Sequence, residues 1–234
     1  PAPPCVADRE WLVRFLKDRD EQAFTELVTR FGPLVYAVAL RCLRDRHAAE
    51  DVFQATFLVL AQNAGRIRSP DSLASWLHGT ALRIAKRTLV RRRNESSLEY
   101  DMLPSDDEPL LDEIAEQFEQ QLVDEELQRL PAAYRAPLVL HYLEGKTCEE
   151  TATALGTTVG AVRGRLQRGK QELRFRLMKR GVEASTVIGA LFVRQSMAEA
   201  AVSPPLISAA AQGGMAACQG TSFVPGCSPE AVHL

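Results

Sequence analysis

Arg163, Gln167 and Arg168 are the side chains in this sequence best placed to recognise another molecule. They lie in the stretch TCEETATALGTTVGAVRGRLQRGK, Thr147 to Lys170. Guanidinium and carboxamide groups form paired hydrogen bonds with guanine and adenine edges in a DNA major groove. At this spacing they share one face of a helix together with Gly160, Gly164 and Gln171. The two glycines on that face allow close approach of a backbone. Val159, Val162, Leu166 and Leu173 fall on the opposite side at a 3.6-residue period and form an apolar stripe. Eight Lys or Arg occur from Arg163 to Arg180, against one acid, Glu172.

The residues before this face supply what is needed to aim it. Thr147 and Glu150 have the spacing of a capping box, which opens a first helix. Ala152 and Leu155 give that helix small apolar contacts, and Gly156 ends it as a residue tolerant of positive φ. Thr157 or Thr158 then caps the second helix. The layout is a helix-turn-helix. A solvated surface helix in a bundle would explain the charge, but not the caps, turn and periodicity together.

Composition narrows the remaining classes. The 234 residues are 46% apolar and 25% charged, with a net charge of −2, so the chain as a whole is not a general polyanion binder. Charge is segregated instead. Arg83, Lys86, Arg87, Arg91, Arg92 and Arg93 form a basic block. From Asn94 to Gln128 there are thirteen acids and no Lys or Arg. The five cysteines form no CxxC and no zinc-ligand spacing with histidine, so reduced thiols and no metal site are expected. His47, His78, His141 and His233 belong to no HExxH, and there is no Gly-rich phosphate loop or Ser/His/Asp set; enzymatic activity and a cofactor are not expected. The opening PAPPCVADRE lacks the basic and apolar regions of a secretory signal, and no run of about 20 apolar residues predicts a membrane span.

The periodic segments predict an all-α chain of two small helical domains. The first, 9–93, contains helices at Glu10 to Lys17, around Phe24 to Phe31, at Leu34 to Leu43 after a break at Gly32-Pro33, at His47 to Asn63, and at Ser72 to Arg93. An acidic flexible linker, 94–122, follows, with a helix re-forming near Ile114. The second domain, 123–180, holds about four helices and ends in the reading helix. The tail, 181–234, is rich in Ala, Ser, Pro and Gly, a composition open to two readings: disorder, or a small-residue helix around Ser185 to Ala201 that docks on another surface.

With both halves in view the chain resembles the bacterial sigma-70 family, in its small extracytoplasmic-function form. Asp20-Glu21-Gln22-Ala23-Phe24 with Leu27-Val28 is similar to the family's opening helix. Ala49-Glu50-Asp51-Val52-Phe53-Gln54-Ala55-Thr56-Phe57 resembles the helix that grips the polymerase clamp. Ser75-Trp76-Leu77 ahead of Ala81 and Ile84-Ala85 resembles the helix bordering the −10 element. Leu127-Arg129-Leu130-Pro131, Leu143-Glu144-Gly145 and Val159 to Leu166 resemble the family's −35 domain. The match covers about two thirds of the chain. It departs at Ala55, where the family often has Glu, at Gly164, where Ser is common, and at Gly169, where Ala is common.

The resemblance implies a sigma factor that binds core RNA polymerase, at its clamp helices and flap, recognises promoter DNA and promotes its opening. Some members also meet an anti-sigma factor. Thr158, Val159, Gly160, Arg163, Gly164, Gln167 and Arg168 would meet the −35 element. Arg66, Arg68, Ser69, Asp71, Ser72, Trp76, Arg83, Lys86 and Arg87 would serve the −10 region, and Asp51 and Gln54 would touch polymerase. Action in the cytoplasm follows from the same resemblance. The alternative left by the residues alone is a helix-turn-helix regulator that works without polymerase.

Overall fold

The computed structural model describes residues 4–67, 73–96, 111–182 and 202–218. Among the described residues every regular element is helical, in agreement with the all-α expectation.

Helix α1 (Pro4–Asp18), α2 (Glu21–Leu43), α3 (Arg46–Asn63) and α4 (Leu73–Ser96) build the N-terminal bundle. Asp20 caps α2 by accepting from the Ala23 amide, and Asp45 caps α3 by accepting from the His47 and Ala48 amides. Between them Arg44 adopts positive φ, 51°, and its N–H donates to the Leu40 carbonyl to close α2. The core is aromatic: Phe15 stacks on Phe24 at 4.6 Å between centroids, and Phe53 meets both Tyr36, edge-on, and Phe57.

The break expected at Gly32-Pro33 does not occur, and α2 runs through Pro33. A proline inside a helix forfeits one hydrogen bond and crowds the preceding turn. Here burial of Phe31, Leu34, Val35 and Val38 on either side offsets that loss. By length and composition α2 could also cross a membrane, but two thirds of its apolar window is buried in the bundle.

Helix α5 (Leu111–Arg129) begins inside the segment expected to be a linker, so the last part of 94–122 is ordered. Helix α6 (Ala132–Leu138) continues into a π turn, Val139–Leu143. Helices α7 (Cys148–Ala154) and α8 (Val159–Met178) follow. The tail contributes α9 (Pro204–Cys218), packed on α2 and α3. The helix anticipated at 185–201 falls outside the described residues; the helix that docks comes later in the chain.

The N-terminal bundle and the α5–α8 unit are packed together. Arg41 of α2 and Asp124 of α5 form a bidentate ion pair, 2.9 and 3.1 Å, and both are sealed from solvent. His78 of α4 places Nε2 2.8 Å from the same carboxylate, and its Nδ1 meets Gln128 Nε2. With the Gln128 amide donating to Nδ1, His78 carries its hydrogen on Nε2 and donates a hydrogen bond to Asp124 Oδ1. Gly79 leaves the space that Gln128 fills; a Cβ there would lie 2.6 Å from its Oε1. On the other side, Glu144 pairs with Arg30 at 2.5 Å, and Lys146 with Asp8 at 3.4 Å.

Candidate nucleic-acid interface

The helix-turn-helix is assembled from local chemistry. The Thr147 amide donates to Glu150 Oε2 at 2.8 Å, and the Glu150 amide to Thr147 Oγ1 at 3.1 Å, which completes the capping box. These bonds hold the Glu150 carboxyl below its ordinary range, the amide bond contributing most. Gly156 takes φ +57°. Around it Thr157 N–H donates to Ala152 O, 2.9 Å, and Gly156 N–H to Thr153 O, 3.3 Å, the paired bonds of a Schellman ending. Of the two threonines that follow, Thr158 is the cap and accepts from the Ala161 amide.

The apolar stripe is where periodicity put it: Val162, Leu166 and Leu173 are buried and Val159 is half-buried, with Gly169 and Leu177 added. Gly169 has a positional reason. A Cβ on it would lie 3.0 Å from Leu138 Cδ1 and 3.2 Å from Tyr134 Cβ, so its small size lets α8 lie on α6. Gly164 has no comparable neighbour; only Arg168 Nη2 comes near, at 3.5 Å.

The outer face of α8 is open. Thr158, Gly160, Arg163, Gln167 and Arg168 are exposed, and Gly164 is partly so. Arg163 reaches Glu149 of α7 at 3.6 Å, but both side chains are about two thirds exposed, so the pair is weak and gives way readily to a phosphate or base. Farther along, Arg176 and Arg180 bond to acids of α5 and of α8 itself, which assigns them partly to holding α8 in place.

The other predicted face is partly covered, with Arg66, Arg83 and Arg87 exposed and Trp76 and Lys86 half-buried. Arg66 is exposed at the end of a 3-10 turn, while Arg68, Ser69, Asp71 and Ser72 lie outside the described residues. Trp76, Arg83, Lys86 and Arg87 follow one stripe of α4, and Arg87 faces solvent. Trp76, Arg83 and Lys86 line a cleft of about 390 Å³ closed on its far side by Glu125, Gln128 and Arg135. Lys86 pairs with Glu125 at 2.6 Å, and Arg135 Nε donates to Ser75 Oγ at 3.2 Å. Burial, and after it the Arg83 charge, lowers the proton affinity of Arg135. Arg135 therefore belongs to this cleft, though nothing in its sequence context, AYRAPL, marked it.

The two residues expected to meet polymerase differ. Asp51 of α3 is half-buried; Gln54 is buried at 9% exposure. Among the described residues no group of His, Cys, Asp and Glu has metal-site geometry. Cys42 is an inert core thiol, pushed up to about 12 by burial first and the Asp124 charge second.

Comparison with known proteins places both halves. The Sigma-70 region 2 family model matches residues 27–95, and the Sigma-70, region 4 model residues 120–173. The chain is 32% identical over 172 residues to the ECF RNA polymerase sigma factor SigE of Mycolicibacterium smegmatis, covering 70% of this chain and 65% of that one. It is also 32% identical over 166 residues to the RNA polymerase sigma factor CarQ of Myxococcus xanthus, covering 68% of this chain and 91% of the relative. A probable RNA polymerase sigma factor of Xanthomonas campestris pv. campestris, RfaY, matches at 32%, with 42% of its length covered. The chain thus spans less than two thirds of SigE and of RfaY, and nearly all of CarQ. With matching regions in this order, the chain belongs to the sigma-70 family of RNA polymerase factors, as a member of its extracytoplasmic-function type.

Proposed function

We propose that this chain directs transcription initiation as a promoter-recognising subunit of RNA polymerase in the cytoplasm. It carries out no covalent chemistry and needs no cofactor. Helix α8 enters the −35 major groove with Arg163, Gln167 and Arg168 toward base edges and Thr158, Val159, Gly160 and Gly164 against the groove wall. The exposed α8 N-terminus suits a phosphate oxygen. Arg66, Arg68, Ser69, Asp71 and Ser72, with Trp76, Arg83, Lys86 and Arg87, receive the −10 region. Flipping a base out of the stack costs a few kcal/mol, which such a pocket offsets. Asp51 and Gln54 contribute to polymerase binding.

The observation that carries this reading is the open polar face of α8, held by a capped turn and an apolar stripe in the same chain as a second basic helix, α4. The packing adds a condition. The labels −35 and −10 themselves put the two elements about 25 base pairs apart, roughly 85 Å at 3.4 Å per step. A compact chain of this length has a radius of gyration of about 17 Å. The α5–α8 unit therefore has to leave α4 before both elements are read, and its departure uncovers the half-buried Trp76 and Lys86 beside the already exposed Arg83.

Run-off transcription with core polymerase on a promoter library tests the proposal. Transcripts starting at one defined position downstream of paired −35 and −10 boxes are expected. DNA binding without any association with core polymerase would favour a polymerase-independent regulator instead.

A further inference from the structure

Gln54 presents a conflict: on the proposed reading it meets polymerase, yet it is buried. Helices α2 and α4 cover one side of α3 as part of the bundle, and α9 covers another. Val202, just ahead of α9, lies beside Gly32 and the Phe53 ring: a Cβ on Gly32 would be 3.6 Å from Val202 Cγ1 and 3.3 Å from Phe53 Cε2. Toward the other end, Gly214 lies against Ala61, whose Cβ would be 3.3 Å from a Cβ placed on Gly214. Cys218 donates its S–H to the Ala61 carbonyl at 3.4 Å and accepts from Arg19 Nη1 at 3.3 Å. Helix α9 thus lies along α3 from the level of Phe53 to Ala61. Gln54, Phe57 and Ala61 are spaced i, i+3, i+7, so Gln54 is on the stripe whose far end lies under α9.

We infer that α9 is an internal cap on the polymerase-binding face of α3, and that core polymerase and the cap compete for that face. This rests on the proposed role of α3 in polymerase binding. The composition of α9 suits a reversible cap. Its buried residues are Leu206, Ala210, Ala211, Gly213 and Gly214, a small apolar load for fifteen residues. Its charge is also suited: α9 contains no Asp, Glu, Lys or Arg, so no ion pair has to break on release. The cap belongs to the same chain as the face it covers, so it stays available after it lifts. Binding to core polymerase is then weakened by the fraction of chains that are capped.

The full chain carrying Gly32→Cys and Val202→Cys tests this, with affinity for purified core polymerase measured in both redox states. The cap is locked when the new pair is oxidised and mobile when it is reduced. About a tenfold weaker binding in the oxidised state, restored by reductant, is expected. The unlocking variant is Gly214→Leu: its side chain meets the buried Phe24 ring, with Cζ 2.8 Å from the new Cβ, and Phe24 is held by Phe15. It should bind core about as much more tightly, with the rest of the helical signal retained. Equal, tight binding by oxidised and reduced chains overturns the cap and leaves the sigma-factor reading standing. No binding in either state overturns that reading itself.

Discussion

Arg41 and Asp124, 83 residues apart in sequence, face each other as a bidentate pair with neither side chain exposed by more than 1%. Burial alone would push the Asp124 carboxyl up. The Arg41 charge and the His78 bond outweigh it and hold the group well below the usual carboxylate range. A buried pair is a poor source of net stability, but losing one partner strands the other charge. Asp124→Ala should cost about 3–5 kcal/mol and loosen α5 from α2. Urea unfolding and amide exchange in Arg41 and His78 neighbours measure the two effects. Replacing the pair together, Arg41→Met with Asp124→Leu, should cost much less.

The same carboxylate fixes one pH window. Its folded-state affinity for protons is depressed, so its contribution is complete above the unfolded value of about 3.9 and is lost as pH falls below it. Glu144 behaves oppositely. Burial raises its carboxyl, against the lowering effect of Arg30. A raised group favours the packed state at low pH and loses that advantage as pH rises from the ordinary value, about 4.5, through the raised one. The contact of the 144–146 turn with α1 and α2 should tighten as pH falls through the raised range of Glu144. Exchange of the 144–146 amides should slow. Asp8, which burial also raises against the pull of Lys146 and Arg30, adds to the response in the same direction. Glu144→Gln should therefore reduce the response and Glu144→Gln with Asp8→Asn should remove it; an unchanged response in the double variant would falsify the assignment.

The helix-turn-helix was legible because its determinants are local: a capping box, one positive-φ glycine, a threonine cap and a 3.6-residue stripe all fall within 24 consecutive residues. Where long-range packing decides, local reading did not reach. Gly32-Pro33 reads as a break, but burial on both sides keeps α2 whole. The Arg41–Asp124–His78 cluster brings together three helices and leaves no periodic signature. Gln54 lies on α3 as its spacing predicts, but its burial comes from packing around α3 and could not be read from its own segment. The tail helix carries one local sign, Ser203-Pro204-Pro205, since proline is favoured in a first helical turn.

Two glycines of α8 should respond in opposite ways. Gly169→Leu forces atoms into Leu138 and Tyr134 of α6 and should destabilise by about 1–3 kcal/mol. Gly164→Ala meets only the flexible end of Arg168 and removes a residue that costs roughly 1 kcal/mol in a helix interior. The melting temperature should fall for the first and rise for the second. Equal destabilisation by both would mean that the approach of α8 to α6 is not what fixes Gly169.

The reading face makes the last prediction. Arg163 is exposed and its pairing with Glu149 is weak, so Arg163→Ala should leave thermal stability within about 0.5 kcal/mol. On the proposed function its effect is on DNA recognition. A bidentate contact to one base is worth ~1–3 kcal/mol of discrimination, so this variant should relax preference at one −35 position and little elsewhere. Lys179, at the end of α8 beside the Phe175 ring, lies beyond the turns that enter a groove. Lys179→Ala should weaken binding evenly across sequences and reduce the salt dependence by about one phosphate contact. Selection of bound sequences at two salt concentrations separates these effects. Identical sequence profiles for wild type and Arg163→Ala would remove Arg163 from base recognition and leave it, at most, a phosphate contact.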